Sequence, residues 1–167
     1  MYRILQYSLF FVAVVLLQML LFDNLLITPY IYPLYYVVFI ILLPVGASRA
    51  GVLLLGTALG VVMDYAMGTG GINTIATAAV AFLRPALINI SMGKDVQHEV
   101  IPYGESIDLK EFLLFASLMV IIHQTVFFFF ESLGNHFFLT VIKIILSSAV
   151  TLLLVWLTAN LFKRIGK

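Results

Sequence analysis

The chain has 167 residues, of which 63% are hydrophobic and 10% charged, with a formal net charge of +1 and a mean hydropathy of +1.13. So few charges cannot coat a water-soluble surface, where about a quarter of residues are usually charged, and the excess apolar side chains must face lipid. The absence of cysteine excludes disulfides, zinc-thiolate sites and thiol catalysis. A near-zero net charge with no basic stripe argues against a nucleic-acid binder.

The predicted fold is all-α: a polytopic membrane bundle of about six transmembrane helices, in a single transmembrane domain over residues 1–167. The first span is Ile4–Phe22. It is followed by Asp23, Asn24, Leu25 and Leu26 with no small-residue cleavage site, so it reads as a retained helix rather than a signal peptide. The next spans are Ile31–Ala47 and Ala50–Met67, separated by a tight turn at Gly46, Ala47 and Ser48 before Arg49. A five-span reading that fuses or drops one of these two is the alternative. The remaining spans are Ile72–Ile90, Phe112–Phe130 and Phe137–Phe162.

Charge gives an independent check. With the N-terminus in the cytoplasm, the inner segments hold Arg3, Arg49, Lys94, Lys110 and the tail Lys163, Arg164 and Lys167. The outer loops near Asp23–Tyr30, Gly68–Gly71 and Glu131–His136 hold no Lys or Arg. The positive-inside rule then places both termini in the cytoplasm.

The one long connection, residues 91–111, lies on the cytoplasmic side between the fourth and fifth spans, and Pro102, Tyr103 and Gly104 mark a turn in it. It is either a solvated connector or a docking loop in which Lys94, Glu99, Tyr103 and Glu105 meet a partner. Asp108 and Glu111 read as a capping box opening the fifth span.

Polar groups at membrane depth are the most informative, because burial there is expensive. Gly56, Gly60 and Asp64 recur at intervals of four and share one helix face. This stripe of small residues lets a helix approach closely, either within the bundle or from a partner. Asp64 lies near the outer end of its span. It is expected nearer to Lys143 than to Arg84, if either base pairs with it. The glycines at Gly68, Gly70 and Gly71 permit a tight outer turn with positive φ, and Asn73 caps the fourth span or bonds back to that turn. Gln18, Asp64, Asn73 and Lys143 are the candidates for an intramembrane polar network. Arg84 precedes Pro85, where a kink is expected, and its guanidinium is expected to snorkel to the cytoplasmic interface. His123 and Gln124 read as interhelical hydrogen-bonding groups. There is no serine elbow, HExxH or Walker motif, so no catalytic residue, metal site or cofactor is assigned. Nothing in the pattern marks two matched broken helices of the kind transporters use.

Several features together resemble the MreD family, the rod shape-determining membrane proteins of bacteria. These are Leu16, Leu17 and Gln18 in a first span ending at Phe22, a proline-containing outer loop, Gly56-x3-Gly60-x3-Asp64, then Gly68 and Gly71-Ile72-Asn73. Chain length, span number and a short basic tail are similar as well, but the specific part is Gly56–Asn73. The resemblance implies a non-enzymatic scaffold of the elongasome, which controls cell shape and side-wall peptidoglycan synthesis from the bacterial cytoplasmic membrane. Its implied partners are an MreC-like single-span protein, the MreB filament, RodA glycosyltransferase and a class B penicillin-binding transpeptidase, besides membrane lipid. The implied fold is similar to the substrate-binding subunits of energy-coupling-factor vitamin transporters. That similarity supplies the alternative function, a small-molecule-binding subunit of a membrane transporter. Such a subunit needs an outward cavity, which Gln18, Asp64, Asn73 and Lys143 could line. Against it, only Ala13 interrupts the large side chains of the first span.

Overall fold

The computed structural model describes residues 2–24, 29–93, 107–133 and 136–165. Five helices among them are long and apolar enough to cross a membrane. The first, α1 (Tyr2–Leu17), ends in a π-helical turn, Gln18–Phe22. The others are α3 (Arg49–Met67), α4 (Ile72–Met92), α5 (Leu109–Ser132) and α6 (Phe137–Ile165). Consecutive helices from α3 to α6 pack side by side as antiparallel neighbours. The aromatic cluster of Phe10, Phe39 and Phe162 brings α1 against the C-terminal half of α6.

The predicted span at Ile31–Ala47 is not a membrane-length helix. A 3-10 turn, Tyr35–Val37, leads into the single helical turn α2 (Val38–Ile41), and the flanking residues are irregular. The cause is two prolines, Pro33 and Pro44. Proline kinks or breaks a helix because it has no N–H and its ring collides with the carbonyl four residues earlier. The residues between them could form a helix of only about 15 Å, half the ~30 Å hydrocarbon thickness.

This segment instead runs through the middle of the bundle. No residue from Leu34 to Leu43 is more than 6% exposed. It begins beside Asp23, at the end of the bundle where α1 finishes, since the Tyr32 hydroxyl donates to Asp23 Oδ1. It ends at Ser48, which caps α3 at the opposite end by accepting from the Gly51 N–H at 3.2 Å. Apolar burial here gains little over exposure to lipid tails, so close packing and satisfaction of the backbone must hold the segment.

The α3–α4 turn takes the conformation expected of its glycines, with φ of +67° at Gly68, +62° at Gly70 and +105° at Gly71. Helix α4 continues through Pro85 to Met92, and α5 begins at Leu109, so both helices reach into the predicted 91–111 loop. Asp108 occupies the N-cap position of α5 but its side chain makes no capping hydrogen bond. Lys94, Glu99, Tyr103 and Glu105 lie outside the described residues.

Candidate functional site

Non-helical backbone at membrane depth is tolerated only where protein groups satisfy it. Here the buried polar side chains do so. At the first residue of the π turn, Gln18 is fully buried. Its Nε2 donates to the Pro33 carbonyl and its Oε1 accepts from the Tyr36 N–H, each at 3.3 Å. Ser147 of α6 accepts from the Tyr32 N–H at 2.9 Å. The Tyr35 hydroxyl meets Thr158 Oγ1 of α6 at 3.0 Å. Thr158 donates to the Leu154 carbonyl, so Tyr35 is the donor in that pair.

The other end of the segment rests on Arg84 of α4. Its Nε donates to the Ile40 carbonyl at 3.1 Å and its Nη1 to the Pro44 carbonyl at 3.3 Å, while Nη2 donates to the Leu43 carbonyl. Ile40 is four residues before Pro44, so its carbonyl is the one a helix would leave without a partner at that proline. Arg84 supplies the missing donor. The expected snorkelling is therefore corrected: the side chain is 2% exposed and turns into the bundle, over the Phe115 ring at 5.8 Å.

Asp64 binds neither Lys143 nor Arg84. From the penultimate turn of α3, its carboxylate caps α4. The N–H groups of Asn73 and Thr74 donate to Oδ1 and Oδ2, both at 2.9 Å. The hydroxyls of Thr69 and Thr74 donate to the same two oxygens. All four partners are donors, which matches the acceptor-only chemistry of an ionised carboxylate. A negative charge at a helix N-terminus is also favoured by the helix dipole.

Asn73 extends this cap into the core. Its Nδ2 donates to Thr69 Oγ1 at 2.5 Å, and its Oδ1 accepts from the Tyr36 hydroxyl. An unbroken chain of hydrogen bonds thus runs from Tyr36 through Asn73 and Thr69 to Asp64. Of the four residues predicted to form a polar network, Asp64 and Asn73 bond directly and Gln18 joins through Tyr36. Lys143 does not join; it pairs with Glu131 at 3.4 Å, with both side chains more than a third exposed.

The stripe of Gly56 and Gly60 faces α4. A Cβ on Gly60 would lie 2.3 Å from Thr77 Oγ1 and 2.5 Å from the Thr74 Cα, and one on Gly56 would lie 2.9 Å from the Ala81 Cβ. The close approach these glycines allow is what brings Asp64 within reach of the first turn of α4.

Ser147, Tyr36, Thr69 and Thr74 were not among the sequence candidates. The signal available for them was indirect: Pro33 and Pro44 imply orphaned backbone groups, but not which side chains serve them. A second buried set is less satisfied. Both ring nitrogens of His123, Oε1 of Gln124 and Oγ of Ser148 have no hydrogen-bond partner among the described residues. Gln124 Nε2 meets Thr151 Oγ1 at 3.0 Å, and the His123 ring packs edge-on against Tyr36. No three metal-ligating side chains cluster among the described residues. No family model, curated protein or solved structure matches the chain.

Proposed function

We propose that this protein is a non-enzymatic membrane scaffold of the MreD type, acting in the bacterial elongation machinery that builds side-wall peptidoglycan. In this reading it lies in the cytoplasmic membrane with both termini inside. It binds an MreC-like single-span protein and, directly or through it, the MreB filament, RodA and a class B penicillin-binding transpeptidase. The observation that carries the reading is the use made of Gly56–Asn73, the stretch on which the resemblance rests. Its glycines close the α3–α4 contact, and its Asp64 and Asn73 are consumed in capping and bracing. Such a unit supports a rigid platform for other membrane helices.

A small-molecule-binding subunit is favoured by one observation, the unpartnered polar atoms of His123, Gln124 and Ser148 in the core. A gentle-detergent pull-down of tagged protein, with mass spectrometry of proteins and small molecules together, separates the two. Recovery of a single-span periplasmic protein with cell-wall synthases supports the scaffold. Recovery of an ATPase-containing transporter complex, or a stoichiometric small ligand, overturns it.

A further inference from the structure

At the end of the bundle where α3 begins and α4 ends, two cavities meet. The first, of about 300 Å³, is lined by Ser48, Arg49, Arg84 and Asn89, among others. The second, of about 440 Å³, shares Arg49, Pro85 and Asn89 with it. It continues between α3 and α4 over Leu53, Ala81, Phe82 and Ala86. Phe82 and Leu53 are exposed on the flank of the bundle, so this second cavity opens toward the lipid.

Among the described residues, the lining of the polar cavity carries positive charge with no carboxylate to balance it. Arg84 bonds only to carbonyl oxygens, which leaves one N–H on each Nη without a partner among the described residues. Arg49 forms no ion pair among the described residues. It stands at the first turn of α3, where the helix dipole adds further positive potential. Uncompensated buried charge is costly, and a cavity that admits an anion relieves that cost.

We propose that this end of the bundle binds one anionic phospholipid. Its phosphate sits between Arg49 and the free edge of Arg84, with Asn89 as a further hydrogen-bonding group, and one acyl chain lies in the α3–α4 groove. The joined apolar groove is what selects a lipid over a free phosphate. Basic pockets between transmembrane helices hold anionic headgroups by the same chemistry. This proposal does not depend on the scaffold reading.

The test is native mass spectrometry of the delipidated full chain, titrated separately with phosphatidylglycerol, phosphatidylcholine and inorganic phosphate. One phosphatidylglycerol is expected to be retained in preference to phosphatidylcholine. Arg49→Ala is expected to weaken that retention about fivefold, the equivalent of roughly 1 kcal/mol for one basic contact. Ala86→Trp, which fills the groove, is expected to weaken it as well, and Lys143→Ala at the far end is not. Arg49 and Asn89 are exposed, so their replacement leaves the fold intact, which helical circular dichroism checks. Equal retention of the two lipids, or unchanged retention in Arg49→Ala, would overturn the proposal. So would displacement of the lipid by inorganic phosphate, which would make the site one for small anions.

Discussion

Arg84 donates to the carbonyl of Ile40, the group that Pro44 deprives of its helical partner. A charged side chain and a proline on different elements therefore form one device, with the arginine completing what the proline breaks. Lysine cannot reproduce it, because an ammonium on a flexible stem lacks the planar fork that reaches three carbonyls at once. Arg84→Lys is expected to destabilise the protein, and Arg84→Met to do so more severely, by 3 kcal/mol or more in order of magnitude. Unfolding by graded denaturant in detergent micelles measures both.

Gln18 serves the opposite end of the same segment. Gln18→Leu leaves the Pro33 carbonyl and the Tyr36 N–H without partners in a dry interior, at an expected cost of about 1–3 kcal/mol. Gln18→Met keeps the volume but restores neither the acceptor nor the donor, and is expected to recover little. Hydrogen exchange at the Tyr36 amide should accelerate in both variants, and the same measurement at residues near Arg84 should not.

Glycine substitutions in α3 and its turn should separate two causes. Gly60→Ala places a methyl group against backbone of α4, which a side-chain rotation cannot relieve. A loss of about 1–3 kcal/mol is expected, with larger effects for Gly60→Leu. Gly56→Ala makes a less severe overlap, 2.9 Å from the Ala81 Cβ at its closest point, and is expected to cost less. Gly68→Ala meets nothing within 4 Å, but Gly68 has φ of +67°. Its expected cost, about 1–2 kcal/mol, comes from the left-handed backbone alone. Thermal unfolding of the three alanine variants and Gly60→Leu ranks them.

Asp64→Ala removes a carboxylate that caps α4 and should cost about 1–2 kcal/mol. Asp64→Asn keeps an acceptor and loses the charge, so its loss is expected to be smaller. A larger effect for Asn than for Ala in denaturant unfolding would contradict the capping role.

The long helices were legible in the sequence because each is a predominantly apolar run of membrane-spanning length, and their observed limits fall within a few residues of the predicted ones. The glycine turn was legible because Gly68, Gly70 and Gly71 allow a backbone that other residues resist. The crossing segment was not, because its hydropathy is that of a helix and the decisive feature is the pair Pro33 and Pro44. Arg84 was misplaced for a related reason. An arginine near a helix end ordinarily reaches for water, and only the three-dimensional proximity of broken backbone gives it a better set of acceptors. The cap from Asp64 to α4 depends on how the glycine turn folds back, so the sequence grouped Asp64 with Asn73 without showing that the carboxylate caps the helix.

His123 is buried with both nitrogens unpartnered among the described residues. His123→Leu removes that desolvation cost at similar volume and is expected to be neutral or stabilising. A marked destabilisation in thermal unfolding would mean that His123 has a partner or a bound molecule in the membrane.

The central claim is that residues 32–48 pass through the bundle, largely non-helical, with residues 34–43 shielded from both lipid and water. The native chain has no cysteine, so single cysteines placed by Tyr30→Cys, Val38→Cys and Gly46→Cys test it with a membrane-impermeant maleimide. The expected result is labelling of position 30 from one side of the membrane, position 46 from the other, and position 38 from neither until the protein is unfolded. Labelling of positions 30 and 46 from the same side, or ready labelling of position 38 in the folded protein, would contradict it.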